Sequence, residues 1–221
     1  MIERAVNANP ISVGALRESA MLAAWLGNID AARRQFEYLE GKLMPHEDDA
    51  LRFWAELWFG DPKIAKQIAD DPKSGAIDFW HPHADAACFH RFVDARAANE
   101  RMSVAELDSL CTRRGDASEY LTRRFLLGYQ YFGYADETFE ALEERDENGE
   151  YRSSERYLYM PGNMAWVRAD PRFMPLMVRR GLVDYWLETD HWPDFCLAKD
   201  APYDCKQAAL AAREAAKAAA P

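Results

Sequence analysis

Three glycines in this chain each follow a bulky apolar pair: Trp25-Leu26-Gly27, Trp58-Phe59-Gly60 and Tyr131-Phe132-Gly133. The first two lie 33 residues apart and the last two 73, close to two further repeats. Each is followed at once by a helix-start signal: Ile29-Asp30-Ala31-Ala32, Asp61-Pro62-Lys63-Ile64 and Ala135-Asp136-Glu137-Thr138. Glycine tolerates the left-handed backbone that closes a helix, and an acidic cap opens the next. The unit so marked is a helical hairpin, and self-similarity near 34 residues is the signature of a stacked array.

The remaining sequence agrees with helix throughout. Alanine occurs 36 times, against 17 for Val, Ile and Thr together, a balance that favours helix over strand. Asp61-Pro62 and Asp170-Pro171 place a capping carboxylate before a proline in the first turn. Ser103–Glu106 and Asp116–Glu119 read as capping boxes. Apolar residues recur at three and four, as in Leu51, Trp54, Ala55, Trp58 and Phe59. This spacing predicts helices near 11–26, 30–42, 47–59, 62–70, 82–98, 104–113, 117–132, 136–146, 171–180 and 182–188. The alanine-rich tail 206–220 is helical by propensity, but it has few bulky apolar residues and is expected to dock loosely. The expected fold class is all-α, with a repeat region over 1–169 and a C-terminal capping segment and tail over 170–221, forming one structural domain.

Around Gly27 the chain resembles a tetratricopeptide repeat. Leu16, Ala20 and Ala23 stand at first-helix packing positions, Gly27 at the turn, Ala32 and Phe36 in the second helix, and Pro45 beyond it. Residues 2–10 resemble the end of a preceding repeat, which implies a chain beginning inside an array. The C-terminal block is the most specific. Phe139-Glu140-Ala141-Leu142-Glu143, Ala169-Asp170-Pro171-Arg172-Phe173, residues 179–186 and Trp192-Pro193-Asp194-Phe195-Cys196 resemble the terminal segment of bacterial tetratricopeptide proteins, many of them fused to winged-helix regulators or adenylate cyclases. The likeness covers about 120–196, is weaker over 1–75 and is least over 76–118. It implies a right-handed solenoid of helical hairpins acting as a regulatory protein–protein interaction module. It lends no catalytic residues. The family's groove positions fall on Arg17, Met21 and Trp25, on Trp54 and Trp58, and on Arg123, Gln130 and Tyr131. Trp, Tyr, Met and Arg suit such a role because they bury large areas or hydrogen-bond from a rigid fork, although large aromatics are as readily core. Phe173, Leu176, Leu182, Tyr185, Trp186, Trp192 and Phe195 supply the apolar cap that the end of a solenoid needs.

Other function classes find less support. A net charge of −10 argues against nucleic acid. No apolar run is long enough for a membrane span, and the N-terminus has no leader pattern, so a cytoplasmic protein is expected, or a periplasmic one if the chain belongs to a longer, membrane-anchored protein. No GxSxG, HExxH, Walker loop or GxGxxG occurs, and the acidic run 143–147 reads as a solvated helix end, so no enzyme and no cofactor are expected. His81, His83 and His90, near Asp85 and Cys88, offer a loose metal or small-molecule alternative, but without ligand pairs at metal spacing a structural role is favoured. Self-association through the repeat face is a third reading. The four cysteines never form CxxC, and a chain of this length does not need a disulfide framework, which leaves a single Cys196–Cys205 bridge open.

Overall fold

In this computed structural model the described residues are 12–44, 46–76, 86–111, 126, 128–147 and 164–219. Every regular element among them is helical, and none is a strand. The chain divides into two compact units, residues 1–128 and 129–221. The expected boundary at 169/170 lies inside the second unit.

The first unit contains α1 (Val13–Trp25), α2 (Ile29–Leu39), α3 (Glu47–Phe59), α4 (Pro62–Asp70), α5 (Ala86–Ala98) and α6 (Val104–Cys111). Their starts follow capping chemistry. The side chains of Ser12, Asn28 and Asp61 accept from the amides of Ala15, Ala31 and Lys63, each meeting a donor the helix cannot satisfy itself. Ser103 and Glu106 form the predicted reciprocal box, at 3.0 and 3.2 Å. Asp116 and Glu119 lie outside the described residues. Each helix packs on its successor, and α1 also packs on α3. Ala20, Ala24, Ala32 and Ala55 let the axes approach, while Phe36, Leu39 and Leu51 fill the space between them. Each of the larger side chains contributes about 1.5–3 kcal/mol through burial.

Gly27 closes α1 in the left-handed region at φ +81, as predicted, and Gly133 adopts φ +71. Gly60 does not: its backbone has φ −115 and ψ −134. There the reason for glycine is space. A β-carbon would lie 2.2 Å from Glu56 Oε2 and 2.9 Å from Ile29 Cγ1. The Glu56 carboxylate is folded over Gly60, accepts from Arg33 Nε and Nη2 at 2.7 and 2.9 Å, and accepts from the Asp61 amide at 2.9 Å. One buried carboxylate therefore ties α2, α3 and the turn into α4 together.

The second unit contains α7 (Ala135–Glu147), α8 (Ala165–Ala169), α9 (Phe173–Arg179), α10 (Leu182–Thr189), α11 (Asp194–Leu197) and α12 (Cys205–Ala219). Residues 129–132 ahead of α7 are also helical. Helices α8 and α11 were not predicted, because five and four residues are too short to show an apolar period. An ion-pair ladder joins α7 to the α8–α9 segment. Asp136 accepts from Arg172 at 2.8 Å and Glu143 from Arg179 at 3.1 Å, both across 36 residues; Asp146 accepts from Arg180 at 3.0 Å across 34. Asp136 and Glu143 are seven residues apart, as are Arg172 and Arg179, so α7 and α9 run parallel. Trp166 Nε1 repeats the 36-residue offset by donating to the Gln130 carbonyl. Asp146 is thus half-buried under Arg180, while Glu143 keeps its pair to Arg179 on an exposed side chain, and Glu144 and Glu147 are exposed as well.

Arg172 also forks onto Asp170 at 2.9 and 2.8 Å, which holds that carboxyl below the ordinary aspartate value of 3.8. A depressed folded-state value contributes stability above the unfolded pKa and loses it as pH falls through the folded one. Asp170→Asn is therefore expected to remove part of the acid limb, lowering stability near neutrality and narrowing the gap to wild type below about pH 4. Urea titrations at pH 7 and pH 3 check this; an equal deficit at both pH values refutes it.

Phe173, Leu176 and Trp186 of the predicted cap are buried, whereas Tyr185 is 53% exposed. Phe195 meets Phe173 edge-on at 5.7 Å, and Trp192 tilts onto Trp186 at 6.0 Å. Trp192 Nε1 donates to Asp190. The tail meets its expectation in part: its apolar surface is small and its far end exposed, but its first half is docked. Helix α12 packs on α9 and α10, and only its final stretch, residues 214–219, is exposed throughout. Bulky apolar residues do not hold it. Cys205, its first residue, is bonded to Cys196, and Cys205 and Ala209 are its buried positions. The bridge joins residues with Cα atoms 5.6 Å apart and nine positions apart in sequence. Closing so short a loop contributes about 2–3 kcal/mol, against about 0.8 kcal/mol for a buried alanine methyl. Cys88 is disulfide-bonded as well. Chain length decides whether a fold needs staples, not whether it carries them.

Candidate partner-binding face

Positions 17, 21 and 25 are spaced by four along α1 and so share one helix face. Arg17 is about two-fifths exposed. Its Nη1 donates to Glu47 Oε1 at 3.0 Å, and its Nε and Nη2 donate to Glu18 Oε1 at 3.2 and 2.9 Å. Glu18 first, then Glu47, holds the guanidinium above its usual pKa. Glu47 is buried in the first turn of α3, where a carboxylate is favoured by the helix dipole, and its other oxygen accepts from the Met44 amide. The Arg17–Glu47 bond thus fixes α1 beside the start of α3. Met21 is half-buried against the alanine-rich core, and Trp25 is half-buried at the end of the helix.

On α3, Trp54 is half-buried and stacks on Trp58, with centroids 5.5 Å apart and planes 21° apart. Trp58 is only 8% exposed and continues onto Phe92 of α5 at 5.3 Å. The structure therefore brings Arg17 to α3 and assembles an aromatic run from α3 to α5. In the second unit Gln130 is buried at 1% exposure, and Tyr131 is half-buried with its ring edge-on to Phe132 at 5.2 Å. Trp58 and Gln130 offer little surface in this state, so the accessible share of the predicted positions falls on Arg17, Met21, Trp25, Trp54 and Tyr131. Arg123 lies outside the described residues.

Sequence reasoning missed Glu47 and Phe92 as neighbours of these positions. Glu47 carried only the signal of a first-turn acid, and a pairing across 30 residues leaves no local trace. Of the alternative site, His81 and His83 lie outside the described residues and His90 is exposed on α5. Among the described residues no three His, Cys, Asp or Glu side chains cluster as metal ligands, and no helix is long and apolar enough to cross a membrane. No protein-family model, curated protein or solved structure matches the chain.

Proposed function

We propose that the chain is a tetratricopeptide-like interaction module whose α1–α3 face takes a segment of a partner protein. The observation that carries this reading is the packing order of the first unit, where each helix lies on its successor and α1 also lies beside α3. Repeat proteins use this arrangement to present their first helices on one surface. The recurring offset of 34–36 residues between paired groups in the second unit supports the same reading. On this face Arg17 supplies a charged donor with fixed geometry and Met21 an adaptable apolar contact. Arg17 would exchange its bond to the exposed Glu18 for a partner carboxylate while keeping the one to Glu47. The bridges at Cys196–Cys205 and at Cys88 favour an oxidising compartment, the periplasmic alternative, over the cytoplasm.

Panning of a displayed peptide library against the purified chain tests the proposal. Enriched peptides are expected to bind with micromolar affinity. Arg17→Ala combined with Met21→Ala should weaken them at least roughly tenfold, since each hot-spot truncation costs upwards of about 1 kcal/mol. Loss of Arg17 leaves the buried Glu47 with the Met44 amide alone, so the melting temperature is expected to fall by several degrees, and binding is compared well below the transition of the variant. Undiminished binding by a folded double variant, or no enrichment at all, refutes the proposal.

A further inference from the structure

Among the described residues, helix α12 rests on α9 and α10 through few buried side chains. Of its fifteen residues only Cys205 and Ala209 are buried, with Ala208, Ala212 and Arg213 half-buried. The Arg213–Asp184 pair is 3.9 Å long and partly exposed, so it contributes little. An alanine-rich helix of this length is marginal on its own in water. The covalent tie stands apart from these. Cys205 opens α12, and Cys196 sits in α11, which is anchored by Phe195 against the buried Phe173. The chain between the cysteines has its own anchor, because the Tyr203 hydroxyl donates to the Arg168 carbonyl at 2.6 Å.

We propose that the Cys196–Cys205 bond is a redox clasp that decides whether α12 stays docked on α9 and α10. The reductant is a dithiol of the thioredoxin class. Its thiolate attacks the sulfur of the half-buried Cys196, a mixed disulfide forms there, and Cys205 leaves as the thiolate from its buried position. The reductant's second thiol then displaces Cys196. Two electrons pass to the cysteine pair, which takes up two protons, and the reductant becomes its own disulfide. Once the bond is broken, little but alanine surface holds α12, and the helix undocks. The Tyr203–Arg168 bond does not depend on the disulfide, so Cys205 remains near Cys196 and oxidation recloses the clasp within one chain.

Hydrogen exchange followed by mass spectrometry on the full chain tests this, with oxidised protein, dithiothreitol-reduced protein and the Cys196→Ser/Cys205→Ser double variant side by side. Dithiothreitol also reaches the disulfide of Cys88, and the double variant isolates the clasp. In both the reduced protein and the variant, amides of 206–219 are expected to exchange roughly ten- to a hundredfold faster, while 47–70 and 173–189 keep their protection. Reoxidation with glutathione disulfide should restore the wild-type pattern. If the double variant fails to fold, the reduced wild type decides. Retained protection of α12 in protein whose two sulfurs react fully with maleimide overturns the proposal, and so does a loss of protection spread across α9 and α10.

Discussion

Replacing Phe173 by alanine is expected to lower the stability of the second unit by about 3–5 kcal/mol, the range for removing a fully buried aromatic ring. Phe173 has no exposed surface, opens α9 and carries the edge-on contact to Phe195. Its neighbours Met174, Leu176 and Met177 are themselves buried on the same short helix. The ion pairs of Arg172 and Arg179 to α7 are exposed and add little, so the expected loss rests on the packing around the ring. Tyr185→Ala serves as the contrast. At 53% exposure it is expected to change stability by less than about 0.5 kcal/mol. Urea unfolding monitored by hydrogen exchange of residues 173–189 measures both within this unit. Comparable midpoints for the two variants would mean that the cap is not the core of this unit.

Gly60→Ala is expected to cost about 2–3 kcal/mol although its φ is negative and alanine is the better helix former. The added carbon would occupy the place of Glu56 Oε2 and press on Ile29. To admit it, Glu56 must give up Arg33 or the Asp61 amide, and a buried carboxylate that loses its partners is costly. The origin of the effect is separable. In a Glu56→Ala background the largest clash is gone, so adding Gly60→Ala should cost at least about 1 kcal/mol less than in wild type. Additivity of the two substitutions would assign the glycine to backbone conformation instead of to the space over Glu56.

Gly60 also marks how far the sequence could be read. The turn after α3 was legible because glycine, a capping aspartate and proline coincide there. Its reason was not, since the reason is a carboxylate four residues back and an isoleucine on another helix. The same division runs through the chain. Glu47–Phe59, with its full apolar period, and Pro62–Asp70, with its cap and proline, were placed to the residue. The short α8 and α11 were invisible, because their helicity comes from packing. The 33-residue glycine spacing led to the expectation of repetition, but the pairs Arg17–Glu47, Arg33–Glu56 and Asp136–Arg172 join residues that look like ordinary surface charges in one dimension. Among the candidate face residues, residue type suggested hot spots for Trp54 and Trp58 alike. Only three-dimensional packing separates the half-buried Trp54 from Trp58, which Trp54 and Phe92 cover. The tail is the opposite case: composition described its weak apolar surface correctly, and a single cysteine pair changed what that surface implies.

The succession of helices in the first unit, each resting on the one before it, has a kinetic consequence. A nucleus there needs only one hairpin, such as α1 with α2 or α3 with α4, whose ends are joined by a turn of two or three residues. No distant strand has to be found, and little loop entropy is lost before contacts form. Either hairpin can start the process, and each new helix arrives on a surface already made. A chain emerging from the ribosome could therefore order this unit piece by piece from its N-terminal end, with little apolar surface waiting for a partner not yet synthesised.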